Sequence, residues 1–223
     1  MHTMVKICGL STEEGLDAAL AHGADMVGFV FFNKSPRHVS LDLASKLSAR
    51  VGERAVKVLL TVNADDALLA AAIAAVDPQI LQLHGRETPE RIVSVRARFG
   101  LPVMKAIGIA GATDLMQIPL FDAVADLLLF DAKPQQDSTR PGGNGLRFDW
   151  SLLRTVQTKK PWLLAGGLNA LNVVEAIHAT KAQGVDVSSG VETAAGVKDA
   201  GKIEAFITNI RAMERLGSAA RSA

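Results

Sequence analysis

Two polar residues, Cys8 and Asp131, lie where short apolar segments end. Cys8 is the next-to-last residue of the segment Val5–Gly9, and Asp131 is the last residue of Leu127–Asp131. Thiols and carboxyl groups both serve in acid–base and nucleophilic chemistry. Cys8 is the only cysteine, which excludes an internal disulfide and disfavours a cysteine-based zinc site. A lone cysteine is usually a small buried hydrophobe, so its functional interpretation depends on its position and on Lys6.

Period-two alternation along a strand places further polar residues beside these candidates. Lys6 shares a face with Cys8, and Gln82 shares a face with His84 at the end of a fourth apolar segment. A nearby cation favours the thiolate, so the sequence predicts that the pKa of the Cys8 thiol lies below its ordinary value.

Charged residues within the apolar segments must be compensated if they are buried. Lys105 is expected to face inward, like Lys6, so that both lysines, Asp131 and Asp186 form one compensated set beneath a polar site. For the two lysines a structural ion pair is the favoured interpretation. For Cys8 and Asp131 the functional interpretation is favoured, because both end strands.

Two glycine clusters and one arginine suggest an anionic ligand. The clusters follow the last two apolar segments and contribute Gly166, Gly167, Asn169, Ser188, Ser189 and Gly190. Each cluster alone would be an ordinary turn, but two at successive strand ends predict phosphate binding through backbone N–H groups. Arg37 follows the second segment and can pair with a carboxylate or phosphate; the alternative is a solvated surface charge.

Apolar segments alternate with amphipathic ones along the chain, which predicts a single (β/α)8 TIM barrel over residues 1–223 with eight parallel strands. A doubly wound sheet is the alternative, but the first turn lacks G-x-G-x-x-G. The tail at 217–223 is expected to fray. The predicted strands are Val5–Gly9, Met26–Phe32, Ala55–Val62, Ile80–His84, Val103–Ile107, Leu127–Asp131, Trp162–Gly166 and Val185–Ser188.

The intervening segments carry apolar residues at helical spacing. Ser11, Ser40 and Asn169 are predicted to begin helices, and Gly23, Gly100 and Gly184 to follow them. One long connection, Ala132–Phe148, contains Pro134 and Pro141 and is either an active-site cover or a solvated loop. The predicted helices are Thr12–His22, Leu41–Val51, Asp65–Val76, Pro89–Phe99, Thr113–Phe121, Trp150–Gln157, Leu171–Thr180 and Lys202–Arg215.

Composition excludes several classes of partner. The formal net charge of +1 gives no global reason to expect nucleic acid. The longest uncharged apolar run, Ala67–Val76, falls short of the roughly 20 residues that cross a bilayer, so no membrane partner is expected. The first residues lack the apolar core of a signal peptide, and a cytoplasmic location is expected.

Six motifs follow one another from the first predicted strand to the eighth. In this order they resemble phosphoribosylanthranilate isomerases of tryptophan biosynthesis, and their joint occurrence is specific although no single motif is. The motifs are Val5-Lys6-Ile7-Cys8-Gly9-Leu10; Gly28-Phe29-Val30-Phe31 with Ser35-Pro36-Arg37; Gln82-Leu83-His84-Gly85; Gly142-Gly143-Asn144-Gly145 with Phe148-Asp149-Trp150; Gly166-Gly167-Leu168-Asn169; and Asp186-Val187-Ser188-Ser189-Gly190-Val191-Glu192.

The resemblance implies a reaction and roles for particular residues. The reaction is the Amadori rearrangement of N-(5′-phosphoribosyl)anthranilate to 1-(2-carboxyphenylamino)-1-deoxyribulose 5-phosphate. Cys8 would be the general base, Asp131 the general acid and Arg37 a substrate-binding residue near the anthranilate. Gln82, His84 and Asp186 are also expected to bind substrate. The partner is a small phosphorylated substrate, no cofactor or metal is implied, and the chain is expected to be a monomer or homodimer.

Two other functions fit parts of the pattern. One is another sugar-phosphate barrel enzyme. A metal-dependent epimerase needs several inward His and Asp ligands, whereas His84 is the only histidine here that ends a predicted strand. An indole-glycerol-phosphate synthase needs a lysine acid and a glutamate at strand ends, where this chain has cysteine and aspartate. A non-catalytic phosphate-binding barrel is the other, and it would not need Cys8 or Asp131.

Overall fold

A computed structural model describes residues 2–133, 142–143, 145 and 147–222, with side chains as far as residue 218. Its main feature is a closed barrel of eight parallel strands that pair in chain order, β1 also pairing with β8. The predicted TIM barrel is therefore confirmed. The strands are β1 Met4–Cys8, β2 Met26–Phe31, β3 Val56–Thr61, β4 Ile80–Leu83, β5 Val103–Ile109, β6 Leu127–Ala132, β7 Trp162–Leu164 and β8 Gly184–Val187.

Helices surround the barrel, and a small antiparallel hairpin, β9 Glu192–Ala194 and β10 Val197–Lys198, follows β8. The α-helices are α1 Glu13–Ala21, α2 Leu41–Val51, α3 Asp66–Val76, α4 Pro89–Phe99, α5 Ile118–Asp122, α6 Val173–Thr180 and α7 Ala200–Ser222. Short 3₁₀ helices span Ala112–Gln117, Trp150–Thr155 and Ser189–Val191. No helix in the described ranges is both long and apolar enough to cross a bilayer.

Helix ends agree with the sequence in part. Ser40 begins α2 by accepting a hydrogen bond from Leu43 N, and Gly100 ends α4 in the left-handed region at φ 67°. Thr12, not Ser11, caps α1 through Gly15 N. The helix predicted at 113–121 divides into a 3₁₀ turn and α5. Pro119 lies in the first turn of α5, and because it has no N–H it cannot continue a preceding helix.

The ends of the last two α-helices depart further from the sequence-based expectation. Asn172, not Asn169, lies at the start of α6, and Lys181, not Gly184, adopts the left-handed conformation at its end, with φ 58°. α7 continues through Ser222, where fraying was expected. Its apolar face, including Phe206 and Ile210, is buried against the barrel.

Two apolar layers sandwich each strand. The barrel interior contains Met26, Val58 and Met104, while the larger cluster lies between strands and helices. The strands are thus apolar on both faces, which explains their continuous apolar runs.

The prediction that Lys105 faces the barrel interior is wrong. Met104 and Ala106 point inward, so Lys105 between them points toward the helices. Its Nζ lies 2.7 Å from Glu87 Oε2 and 2.7 Å from the Gly85 carbonyl oxygen. Burial lowers the pKa of Lys105 although Glu87 opposes the effect. The pair is structural and fixes the loop that follows β4.

Candidate active site

A cavity of about 750 Å³, including its open mouth, lies at the carboxyl ends of the strands. This size suits a small organic ligand. Cys8, Arg37, His84, Asp131 and Asp186 all contribute to its wall, so the barrel brings together residues from five separate parts of the chain.

The last residue of β1, Cys8, lies above a buried ion pair. Lys6, one layer deeper on the same strand face, places its Nζ 2.7 Å from Asp186 Oδ1 on β8. Burial disfavours the charged lysine, but Asp186 and Cys8 together raise the pKa of Lys6. The expected pairing of Lys6 with an acidic residue beneath the site is therefore found.

The expected depression of the Cys8 pKa is not found. Burial raises the pKa of the thiol above its ordinary value and outweighs the opposing charge of Lys6. Asp186 adds to the increase because its negative charge disfavours a thiolate, while Lys198 acts in the opposite direction. The cation predicted beside Cys8 is thus present, but the removal of water from the thiol has a larger effect on its pKa than the charge of Lys6.

Asp131 lies inside the end of β6, with a fixed partner for each carboxyl oxygen. Oδ1 accepts a hydrogen bond from Ala132 N at 2.8 Å, and Oδ2 lies 3.3 Å from His84 Nε2. Gln82, on the same face of β4, is fully buried below the cavity and places its Nε2 3.0 Å from His84 Nδ1. Asp131 therefore belongs to a row of three polar side chains that crosses from β4 to β6.

Arg37 is buried and is therefore not a solvated surface charge. It binds the carboxylate of Glu192, a residue that the sequence did not indicate as part of the site. Its Nε and Nη2 lie 2.7 and 2.8 Å from the two oxygens of Glu192, at the start of the hairpin. Lys198 Nζ lies 2.7 Å from the same carboxylate and also donates to the Ser188 carbonyl.

These ion pairs set the charge on the mouth of the barrel. Burial opposes ionisation of Glu192, but Arg37 and Lys198 outweigh it and lower its pKa, whereas burial lowers the pKa of Lys198. One carboxylate thus faces two cationic side chains, which favours an anionic ligand beside it. The only signal in the sequence was the position of Glu192 at the end of the last motif.

The two predicted phosphate loops lie side by side along the cavity. Gly166, Gly167, Ser188, Ser189 and Gly190 contribute to its wall. A Cβ on Gly190 would lie only 1.8 Å from the Leu168 carbonyl oxygen, so only glycine permits the two loops to approach this closely.

Asn169 has a local structural contact. Its Oδ1 accepts a hydrogen bond from Leu171 N, and its own N–H donates to Asn172 Oδ1. These bonds shape the turn before α6.

Part of the long connection after β6 reaches over the site. A Cβ on Gly142 would lie 2.5 Å from Asp131 Oδ2 and 2.7 Å from His84 Nε2, and the Gly143 carbonyl accepts a hydrogen bond from Arg37 Nη2 at 3.3 Å. Gly142 therefore lies beside Asp131 and His84, and Gly143 lies beside Arg37, positions that fit the active-site cover among the two interpretations of this connection. Pro134, Pro141 and Asn144 lie outside the described residues.

The cavity wall beside Arg37 is apolar. Val30 and Phe32 come from β2 and the residue after it, and Leu60 and Val62 from β3 and the residue after it. The cavity wall thus includes an apolar part from β2 and β3 and a glycine-rich part from the loops after β7 and β8. No group of three or more His, Cys, Asp or Glu side chains within the described part of the chain is placed to hold a metal ion.

Comparison with known proteins identifies the family of this barrel. A family model described as N-(5′-phosphoribosyl)anthranilate isomerase matches residues 5–209. The chain belongs to the phosphoribosylanthranilate isomerase family. A protein of that name from Beijerinckia indica is 75% identical over 211 residues, covering 95% of each chain. Another from Azorhizobium caulinodans is 57% identical over 210 residues, covering 94% of this chain and 92% of its own.

Solved structures of the family share the barrel. Phosphoribosylanthranilate isomerase from Thermotoga maritima aligns with a TM-score of 0.85 at 33% identity, covering 95% of this chain and all of that one. A second structure, of the family enzyme with reduced 1-(o-carboxyphenylamino)-1-deoxyribulose 5-phosphate, aligns with a TM-score of 0.80 at 31% identity, covering 95% of this chain and 100% of its own. The predicted family and isomerase activity in tryptophan biosynthesis are confirmed.

Proposed function

We propose that this chain rearranges N-(5′-phosphoribosyl)anthranilate with Asp131 as general acid and Cys8 as general base. The observation that carries the proposal is that both residues line one cavity, between two glycine-rich loops and a buried arginine. The substrate class is a small phosphorylated aminoaldose. Cofactor-free catalysis, a cytoplasmic location and a monomeric or homodimeric state remain predictions.

The two ends of the cavity suit the two anionic ends of the substrate. We place the phosphate against the loops that contain Gly166, Gly167, Ser189 and Gly190, where backbone N–H groups can donate to it. We place the anthranilate ring against the apolar side, with its carboxylate near Arg37. The ribose then spans the floor between β1 and β6.

Ring opening is the step for Asp131. The proton of its carboxyl group passes to the ribose ring oxygen, the bond from that oxygen to C1′ breaks, and the nitrogen lone pair forms a C1′=N bond. The carboxylate that remains accepts a hydrogen bond from Ala132 N, which stabilises its negative charge, and its other oxygen lies 3.3 Å from His84 Nε2.

Proton abstraction from C2′ is the step for Cys8. The thiolate takes the proton, the C–H electrons form a C1′=C2′ bond, and the electrons of the C1′=N double bond return to the nitrogen. The resulting enolamine tautomerises to the aminoketose. Because burial raises the pKa of the thiol, the thiolate is a minor species at neutral pH but a correspondingly stronger base. Lys6 sustains that minor species, since it is the largest effect that lowers the pKa of Cys8.

A coupled assay with freshly generated N-(5′-phosphoribosyl)anthranilate tests the proposal, because this substrate is short-lived. We expect turnover by the unmodified chain, and loss of turnover in Cys8→Ala and in Asp131→Asn while both variants bind a reduced product analogue. Binding without turnover by the unmodified chain would instead indicate a non-catalytic barrel. Full turnover by either variant would remove that residue from its proposed role.

A further inference from the structure

Gln82 combines complete burial with a single hydrogen-bonding partner. Its amide Nε2 lies 3.0 Å from His84 Nδ1, while its Oε1 is buried and has no partner among the described residues. Leu60 and Met104, the residues opposite Gln82 on the adjacent strands, are apolar. An amide in such a layer costs stability relative to an apolar side chain, so its contact with His84 calls for a role beyond packing.

The geometry determines which nitrogen of His84 carries the proton. An amide nitrogen only donates, so Nδ1 of the neutral ring must accept, and the proton then belongs on Nε2. That Nε2 lies 3.3 Å from Asp131 Oδ2, an acceptor. With this tautomer a donor nitrogen of Gln82 faces an acceptor on His84, and the Nε2–H of His84 lies near an acceptor on Asp131.

The opposite amide orientation fits worse. It would direct Oε1 of Gln82 at a protonated Nδ1, and would leave both amide N–H groups buried without an acceptor. The lone pair on His84 Nε2 would then face an oxygen of Asp131, which is repulsive while that carboxyl group is ionised. The observed orientation pairs one amide N–H with Nδ1 and avoids that repulsion, leaving the other N–H and Oε1 without partners among the described residues.

We propose that Gln82 is a positioning residue that holds His84 as the neutral Nε2–H tautomer. This rests on the proposed role of Asp131 as the acid. An Nε2 lone pair would accept the carboxyl proton of Asp131 and direct it away from the substrate. An Nε2–H group cannot accept that proton, and it stabilises the carboxylate after the proton has passed to the substrate.

Heteronuclear NMR of the histidine ring nitrogens tests the tautomer directly, with the signal of His84 identified by its loss in His84→Asn. We expect a protonated Nε2 and an unprotonated Nδ1 in the full chain at neutral pH. Gln82→Met keeps a similar volume without a donor, and we expect mixed tautomers with kcat at least about tenfold lower and KM within about twofold. Gln82→Glu, whose carboxylate accepts from Nδ1, should favour protonation of Nδ1 and lower kcat further.

Thr61→Val serves as the matched control, since the Thr61 hydroxyl on neighbouring β3 is also buried without a partner among the described residues. It should change neither the tautomer nor kcat. A protonated Nδ1 in the unmodified chain, or an unchanged tautomer and kcat in a folded Gln82→Met, would overturn the proposal. The NMR measurement needs no turnover, so full activity of Asp131→Asn would overturn the acid role while the tautomer assignment is judged separately.

Discussion

Arg37 holds Glu192 through two nitrogen atoms, Nε at 2.7 Å and Nη2 at 2.8 Å from its carboxylate oxygens. The contact joins the loop after β2 to the hairpin after β8 and fixes the plane of the guanidinium group. Nη1 makes no hydrogen bond to the residues that the structure describes, and the proposed function places the substrate carboxylate near this group. Under the proposed function, Glu192 orients the guanidinium group that binds the substrate carboxylate.

Glu192→Gln should therefore weaken substrate binding. A neutral amide supports Arg37 at one nitrogen rather than two, and a charge-assisted hydrogen bond contributes about 1.5–3 kcal/mol. We expect KM to rise about tenfold or more with a smaller change in kcat. Arg50→Gln, which breaks the exposed pair with Asp17, is the control and should leave KM unchanged. An unaltered KM in Glu192→Gln would contradict this role.

Asp131→Asn should lose turnover but retain binding, because the amide has no acidic proton to give. General acid catalysis contributes about 10² to 10⁴ in rate. The measurements are kcat in the coupled assay and calorimetric affinity for a reduced product analogue. Asp77→Asn, at a side chain that is 94% exposed, controls for the loss of one charge. Turnover of Asp131→Asn within twofold of the unmodified chain would contradict the acid role.

Cys8→Ser should be nearly inactive, since a serine hydroxyl ionises far less readily than a thiol. Cys8→Ala should be at least as poor. Both substitutions change the side-chain volume little, so melting temperatures should stay within a few degrees of that of the unmodified chain, on the order of the shift that 1 kcal/mol produces. An active and folded Cys8→Ser would show that another group removes the C2′ proton.

Alkylation by iodoacetamide should report the raised pKa of the thiol, because Cys8 is the only cysteine in the chain. Burial raises the pKa of Cys8, so the inactivation rate should still be increasing above pH of about 8.5, the ordinary value for a thiol. A product analogue that fills the cavity should protect the enzyme. An inflection below the ordinary value would mean that Lys6 outweighs burial.

Glu87→Gln should destabilise the fold, because it leaves Lys105 buried without its counter-charge. Removing one partner of a buried ion pair lowers the free energy of unfolding by about 3–5 kcal/mol. Contacts with Lys105 and backbone N–H groups lower the pKa of Glu87 despite its burial. The stabilisation is therefore complete above the unfolded pKa of about 4.3 and is lost as the pH falls toward the folded value. Urea unfolding at neutral and acidic pH should show the difference between Glu87→Gln and the unmodified chain decreasing in acid.

The sequence predicted the barrel and the strand-end residues because both depend on local patterns. Alternation placed Lys6 under Cys8 and Gln82 under His84 correctly, since each pair lies within one strand or at its end. Alternation alone does not place Lys105, because the residues on both sides of it are apolar and conceal which face of β5 is inward.

What the sequence did not predict depends on contacts between distant segments. Arg37 and Glu192 are separated by 155 positions, and no local spacing indicates that the loop after β2 meets the hairpin after β8. The sign of the Cys8 pKa shift also required the structure. A neighbouring lysine is visible in the sequence, but the degree to which water is excluded from the thiol is not.

The ion pair between Lys6 and Asp186 joins residues 180 positions apart and closes the barrel between its first and last strands. During synthesis, the lysine leaves the ribosome long before its counter-charge does. Until β8 pairs with β1, Lys6 lacks its counter-charge and the barrel that buries Cys8 is not closed. The buried surroundings that raise the pKa of the Cys8 thiol therefore form only when the barrel closes. A nascent chain that ends before β8 lacks these surroundings and has no complete active site.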